Sequence, residues 1–284
     1  MTTSELILLA TKQQVKETLK PLHCAGKKIG FVPTMGYLHQ GHLSLVEKAR
    51  QECEIVVVSI FVNPTQFSPG EDLSRYPRNI ESDLERLREL GVDYVFTPTN
   101  QEMYHHNHLT WINVEKLSDR LCGKSRVGHF QGVATVVLKL INVVRPDAMY
   151  MGEKDFQQLL VLEKMINDLD LDTRIVRCPT VREQDGLAMS SRNSYLSPAA
   201  RQRALSLHST LQLAQNAFTA GETEVEPLLI KMKEHLSQNA DKIDYIEIVD
   251  NETLEPITNL KKHCRVLIAA FIDGTRLIDN IEIL

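Results

Sequence analysis

"KKIGFVPTMGYLHQGHLSLVEKAR", residues 27–50, sets the reading of the first half of this chain. "KIGFV" is a short apolar run with the character of a buried strand. From Gly41 onward the spacing becomes helical and places Leu43, Val46 and Ala49 on one face. Between the two lies "PTMGYLHQGH", residues 33–42, with two histidines three positions apart, two glycines and a proline. A strand that runs through such a loop into a helix is the start of an alternating β/α pattern.

The pattern continues outward. "EIVVVSIFV", 54–62, is β-branched and almost unbroken, as expected of a central parallel strand covered on both faces. "NIESDLERLRELG", 79–91, reads as a helix with Asn79 as its N-cap and Gly91 as its stop. "VDYVFTP" is again a strand. Then come the helix "GVATVVLKLINVV" (132–144), the strand "DAMYM", the helix "DFQQLLVLEKMINDL" (155–169) and the strand "TRIVRCP". The expected fold is α/β, a Rossmann-like doubly wound parallel sheet.

Near Pro179 the pattern changes. "TVREQDGLAMSSRNSYLSP" is long and polar, and helical stretches at about 198–218 and 225–238 follow. The strand-like "KIDYIEIVD", "CRVLIAAFI" and "TRLIDNIEIL" close the chain. Helices followed by strands suggest a smaller α+β C-terminal domain. The expected division is 1–180 and 181–284, compatible with a length of 284 residues.

Composition narrows the function classes. A net charge of −5 argues against broad nucleic-acid or anionic-membrane binding, while leaving room for a local basic pocket. The five cysteines, Cys24, Cys53, Cys122, Cys178 and Cys264, are scattered, odd in number and without a Cys-x-x-Cys pair. They form neither a disulfide framework nor a zinc ribbon, and reduced thiols fit a cytoplasmic protein. "MTTSELILLATKQQ" lacks the basic region of a signal peptide. No apolar run approaches the roughly 20 residues that span a bilayer.

"PTMGYLHQGH" stands at the carboxyl end of the first strand read here, where open α/β sheets bind ligands. The helix that follows offers a positive end and unpaired N–H groups to an anion. Gly36 and Gly41 let backbone approach closely. His39 and His42 can share one face of a turn and donate to phosphate oxygens. At this stage a metal site, a phosphate site and plain loop chemistry all stay open. The sequence contains neither a P-loop nor a dinucleotide fingerprint.

Other segments read as strand ends carry matching groups, each with an ordinary alternative. In "GEKDFQQ", 152–158, Asp155 suits a helix N-cap and Lys154 a solvated surface, but a lysine there would also neutralise phosphate. In "MSSRN", 189–193, two hydroxyls and an arginine suit phosphates, although such triplets occur by chance. In "FVNPTQF", Asn63 and Gln66 suit a small polar substrate or merely the turn around Pro64. "HHNH", 105–108, is read as a solvated loop and not as a metal cluster.

Taken together, "PTMGYLHQGH", "VVVSIFVNPTQF", "RYPR", "GHFQGVATVV", "GEKDFQQL", "DGLAMSSRN" and, near the end, "GTRLIDN" resemble the pantothenate synthetase (pantoate–β-alanine ligase) family. "HQGH" alone would indicate only the wider H-x-G-H nucleotidyltransferases, in which "MSSR" looks like a divergent mobile loop. The resemblance implies a two-step ligase using ATP with Mg²⁺, pantoate and β-alanine through a pantoyl adenylate, and a homodimer. It implies an ATP- and pantoate-binding first domain and a second domain that serves as a lid. By resemblance, Met35, Gly36, Tyr37, Leu38, His39, Gln40, Gly41 and His42 bind ATP, as do Gly152, Glu153, Lys154 and Asp155. Val181 meets the adenine, and Met189, Ser190, Ser191 and Arg192 close over the triphosphate. The catalytic set is His39, His42, Lys154, Ser190, Ser191 and Arg192, with Gln66 and Gln158 on pantoate and no metal ligand from the protein. Tyr76, Arg126 and His129 lie in matching segments, and the last two also suit ordering the helix that follows. Tyr37, Thr65 and Met189 stand where other residues are frequent in the family.

The main rival is another H-x-G-H nucleotidyltransferase acting on a phosphorylated small molecule. That reaction needs an additional basic pocket, whereas two glutamines suit a hydroxy acid. A non-catalytic nucleotide binder on the same fold is disfavoured because every polar signature group is present. A tRNA-charging enzyme is disfavoured by the acidic balance.

Overall fold

The computed structural model describes residues 5–284. Residues 1–4, the start of the stretch read as lacking a signal-peptide region, lie outside the described residues. The elements run β1 (Ile7–Leu9), α1 (Lys12–Cys24), β2 (Ile29–Thr34), α2 (Gln40–Glu52), β3 (Ile55–Ile60), α3 (Ile80–Glu89), β4 (Tyr94–Phe96) and the short α4 (Asn100–Met103). They continue with the short α5 (Cys122–Ser125), α6 (His129–Val144), β5 (Ala148–Gly152), α7 (Phe156–Asp168) and β6 (Arg174–Cys178). The last part holds α8 (Pro198–Thr219), α9 (Val225–Ser237), β7 (Lys242–Asp250), β8 (Cys264–Ile272) and β9 (Thr275–Glu282).

The chain forms two compact units. The first holds the chain up to Ser118, Arg126–Glu153 and Gln158–Pro179; the second holds Asp119–Ser125, Lys154–Gln157 and Thr180–Leu284. Against the expected 1–180 and 181–284, the boundary moves by one residue and two short segments change sides. Side-chain hydrogen bonds explain those segments. Gln157 accepts from the Cys122 N–H (3.0 Å) and donates to the Arg120 carbonyl (2.7 Å). The Arg265 guanidinium lies 3.6 Å from the centre of the Phe156 ring.

In the first unit six strands pair in parallel, in the order β1-β4-β3-β2-β5-β6. From β2 the chain proceeds outward through β3 and β4 on one side and later through β5 and β6 on the other. The carboxyl end of β2 is therefore the switch point, where a doubly wound sheet opens a crevice. A single residue widens it. Ile29 faces β5, since its carbonyl accepts from the Asp147 N–H. Pro33, four positions on, faces the same way and has no N–H to give. Accordingly β2 pairs with β5 only at Gly30 and Phe31, whereas its pairing with β3 runs on to Thr34.

Buried Val32, Val56, Val58 and Val95 on the strands pack with Leu45, Val46 and Ala49 of α2 and with Leu84 and Leu87 of α3. Leu45 replaces Leu43 as the buried leucine of the α2 face; Leu43 is only partly buried. α3 begins and ends as its caps dictate. The Asn79 side chain accepts from the Ser82 N–H, and Gly91 takes φ +67° just beyond the last turn. α6 starts at His129, about one turn before the expected Gly132. Sequence reading assigned no element to β1 or α1. The latter has a capping box in which the Thr11 side chain accepts from the Gln14 N–H while Gln14 accepts from the Thr11 N–H.

The second unit is α+β. β7-β8-β9 form an antiparallel sheet, and buried Val266, Ile268 and Ala270 pack with Leu207, Leu211 and Met232 of α8 and α9. Among the described residues, no helix is long and apolar enough to cross a membrane.

Candidate active site

The loop after β2 turns sharply. Gly36 (φ +81°) and Tyr37 (φ +52°) lie in the left-handed region one after the other. A Cβ on Gly36 would come within 2.9 Å of Ile60 Cγ2 and 3.1 Å of Asp83 Oδ2, so close approach as well as φ demands glycine. The Tyr37 and Leu38 N–H groups donate to the two oxygens of buried Asp83 (2.8 and 2.7 Å), and Arg86 donates to the Leu38 carbonyl (2.6 Å). Burial pushes the Asp83 carboxyl above its ordinary range, outweighing the two N–H bonds that favour its charged form. The Leu38 side chain is part of the core, which leaves its backbone for the loop.

His39 and His42 cap α2 reciprocally. His39 Nδ1 accepts from the Gly41 N–H (3.2 Å), and His42 Nδ1 accepts from the His39 N–H (3.3 Å). Ring centroids lie 4.1 Å apart. With Nδ1 of each ring accepting, the neutral form carries its proton on Nε2. Each ring is thus a donor of fixed tautomer at a helix N-terminus, which suits an anion better than a metal. Gln40 is exposed and donates to Glu47 (3.4 Å) along the outside of α2.

Gln66 reaches the same loop: its Nε2 donates to Met35 Sδ (3.1 Å). Buried Asn63 donates to Gln66 Oε1 (3.1 Å) and to the Gly132 carbonyl (3.2 Å), fixing the amide that Gln66 presents. The structure therefore brings Met35 and Gln66 together from segments read separately. Arg126 and His129 extend the assembly. His129 Nδ1 donates to the Gln66 carbonyl (2.7 Å), its Nε2 accepts from Arg126 (3.0 Å), and Arg126 grips Glu71 with two bonds (2.7 and 2.6 Å). Burial alone would raise the Glu71 carboxyl, but the Arg126 bonds outweigh it and hold the group below its usual range. Tyr76 is buried, with its ring edge-on to Phe67 at 5.9 Å. Gly152 and Glu153 follow at the carboxyl end of β5, the strand beside β2, and half-buried Gln158 lies in the first turn of α7.

Lys154, Asp155, Val181 and Met189–Arg192 belong to the second unit. There two adjacent residues of β9 hold the Lys154 backbone and the Arg182 side chain. Asn280 donates to the Lys154 carbonyl (2.8 Å), and Asp279 takes two bonds from Arg182 (2.6 and 2.9 Å). Lys154 Nζ lies 3.8 Å from Asp155, which is exposed. Arg182 opens a hairpin closed by Glu183 N–H to Leu187 carbonyl (2.8 Å) and Met189 N–H to Val181 carbonyl (3.0 Å). At its tip Gly186 has φ +95°, and a Cβ there would lie 2.7 Å from His208 Cδ2. Burial, helped by the Arg182 charge, lowers the pKa of His208. Ser190, expected on phosphate, caps the turn Ser191–Tyr195 by accepting from the Arg192 N–H (3.3 Å).

Sequence reasoning missed Asp83, Asp279 and Asn280. The motif "GTRLIDN" held the last two, but only their distant partners reveal what they do. Within "HHNH", His105 and His106 are exposed as expected, but His108 packs edge-on between the Tyr104 and Trp111 rings (5.1 and 5.0 Å).

Known proteins resemble this chain over nearly its whole length. A family model described as pantoate-beta-alanine ligase matches residues 7–282. A pantothenate synthetase of Thermotoga petrophila is 52% identical over 274 residues, 96% of this chain and 98% of that protein. The crystal structure of the Thermus thermophilus enzyme superposes with a TM-score of 0.93 at 45% identity, covering 98% of this chain and 99% of that one. A pantoate-beta-alanine ligase of Francisella tularensis, complexed with beta-gamma ATP and β-alanine, gives a TM-score of 0.83 at 36% identity, with 98% of each chain covered.

Proposed function

The chain belongs to the pantoate–β-alanine ligase family, and on that premise we propose that it condenses (R)-pantoate with β-alanine to pantothenate, using ATP. A carboxylate is a poor acylating agent until one of its oxygens becomes part of a good leaving group. In the first step a pantoate carboxylate oxygen bonds to the α-phosphorus, the bond from that phosphorus to the bridging oxygen breaks, and pyrophosphate leaves. In the second, the β-alanine amine bonds to the acyl carbon, the acyl–oxygen bond breaks, AMP leaves, and the nitrogen sheds a proton.

The observation that carries this reading is the contact of Gln66 with Met35 (3.1 Å), which joins a substrate-type amide to the loop bearing His39 and His42. Attack on the α-phosphorus requires pantoate and phosphate to be held side by side. His39 and His42 offer Nε2–H groups to phosphate oxygens as charge grows, a role that needs no proton transfer. Gln66 and Gln158 orient pantoate. Lys154, Ser190, Ser191 and Arg192 serve the triphosphate, and Val181 the adenine. Gly36, Tyr37, Gly41, Gly152, Glu153, Asp155 and Met189 line the nucleotide.

Among the described residues no group of three or more His, Cys, Asp or Glu side chains is arranged to hold a metal. The Mg²⁺ of this proposal comes with ATP, takes its ligands from the triphosphate oxygens and neutralises their charge. A homodimer and a second unit that shields the acyl adenylate from water complete the reading, together with a cytoplasmic location that suits five free cysteines. Light scattering tests the dimer, and solution scattering with and without ATP tests the shielding.

The deciding experiment follows pyrophosphate on mixing the protein with ATP, Mg²⁺ and pantoate, then AMP after β-alanine is added. Pyrophosphate should appear in the first stage and sustained AMP release only in the second. AMP release that ignores β-alanine would refute the ligase assignment.

A further inference from the structure

Tyr37 is a side-chain-bearing residue at φ +52°, directly after Gly36 at φ +81°. Most L-residues avoid that region, so this path needs a partner that over-determines it. α3 supplies the partner. Each carboxylate oxygen of Asp83 takes one N–H, from Tyr37 at 2.8 Å and from Leu38 at 2.7 Å. Exposed Arg86, three residues on and therefore on the same side of α3, takes the Leu38 carbonyl at 2.6 Å. The next residue is His39, whose ring and backbone N–H make the reciprocal cap with His42. Only two converging acceptors satisfy this arrangement. An asparagine of the same shape would turn an NH₂ group toward one of the donors.

Resting on the ligase reading, we infer that Asp83, with Arg86, is a positioning residue for adenylate formation. It holds Tyr37 and Leu38 in the backbone path that delivers His39 and His42 to the phosphates, and it does not itself touch substrate. Its removal therefore acts on the step in which pyrophosphate departs and spares the step in which the amine attacks the finished acyl adenylate.

The test separates the two half-reactions in Asp83→Asn and Arg86→Gln. Single-turnover pyrophosphate release from ATP and pantoate should slow about ten- to hundredfold in Asp83→Asn, the scale of misplacing catalytic groups by about 1 Å. Arg86→Gln should slow it less, in the same direction. Amide formation from supplied pantoyl adenylate and β-alanine should stay within about threefold of wild type in both, and KM for β-alanine should not move. A folded Asp83→Asn protein that releases pyrophosphate at the wild-type rate overturns the inference. So does a variant in which both half-reactions fall together, because that is what general structural damage does. Should Asp83→Asn fail to fold, Arg86→Gln decides by the same ratio. A wild-type protein that releases no pyrophosphate with pantoate would instead refute the ligase reading.

Discussion

Replacing Gly132 by alanine should damage pantoate use far more than the addition of one methyl group suggests. Gly132 lies on α6 where the helix passes the turn Pro64–Gln66. A Cβ at this position would fall 2.4 Å from the Thr65 carbonyl oxygen, 2.6 Å from the Thr65 carbonyl carbon and 2.8 Å from the Gln66 nitrogen. All three are backbone atoms, so no side chain can swing aside. Ordinary contact begins near 3.4 Å, and the turn must therefore withdraw by about 1 Å. Two tethers resist this: the Asn63 amide on the Gly132 carbonyl (3.2 Å) and His129 on the Gln66 carbonyl (2.7 Å). Overpacking of this kind costs roughly 1–3 kcal/mol. Alanine returns about 0.5–1 kcal/mol as the better residue in a helix interior. The net expectation is a loss of about 1 kcal/mol in urea unfolding. Gln66 moves with the turn, and displacing by about 1 Å the amide proposed to orient pantoate should lower kcat/KM for pantoate by about 10²-fold. Initial rates over a pantoate series, with ATP and β-alanine saturating, measure it. A variant at least as stable as wild type, with kcat/KM for pantoate within twofold, would refute the reasoning.

His42→Ala and Lys154→Ala should each lower kcat by about 10²-fold or more, the scale of losing one transition-state donor; near-normal turnover in both would remove the charge-stabilising role. His208 has a pKa depressed by burial, so the fold favours its neutral ring and the unfolded chain takes up a proton first as pH falls. The stability this group contributes is present above its unfolded pKa of about 6.5 and lost as pH drops below it toward the folded value. Melting temperatures from pH 8 to 5 should fall more steeply for wild type than for His208→Gln, and parallel curves would contradict the assignment.

Much of the fold was legible because it is written locally. β-Branched runs gave the central strands, and Asn79 with Gly91 bounded α3 because caps act within a few residues. β7 and β8 begin and end where the strand-like stretches "KIDYIEIVD" and "CRVLIAAFI" do. β1 was not legible: three residues at a sheet edge, two of them exposed, carry little periodic signal. α1 escaped although its Thr11–Gln14 capping box was present, since Pro21 and mixed polarity blur the helical face. In the site, His39 and His42 stood out by chemistry and spacing. Asp83 did not, because a carboxylate on an amphipathic helix ordinarily faces water.

The sequence by itself determined the strand–loop–helix order, the polar groups at the strand ends and, through Pro33, where β2 stops pairing with β5. Tertiary structure decided which atoms those groups present. Closing the loop onto Asp83 sets the path into α2, and the backbone N–H groups of Gly41 and His39 then fix the ring tautomers. Seating α6 against the Asn63–Gln66 turn aims the Gln66 amide at Met35. Residues far apart in sequence meet only when the sheet has assembled. A hydrogen bond between them depends on distance and direction, and neither is written in the chain's local order.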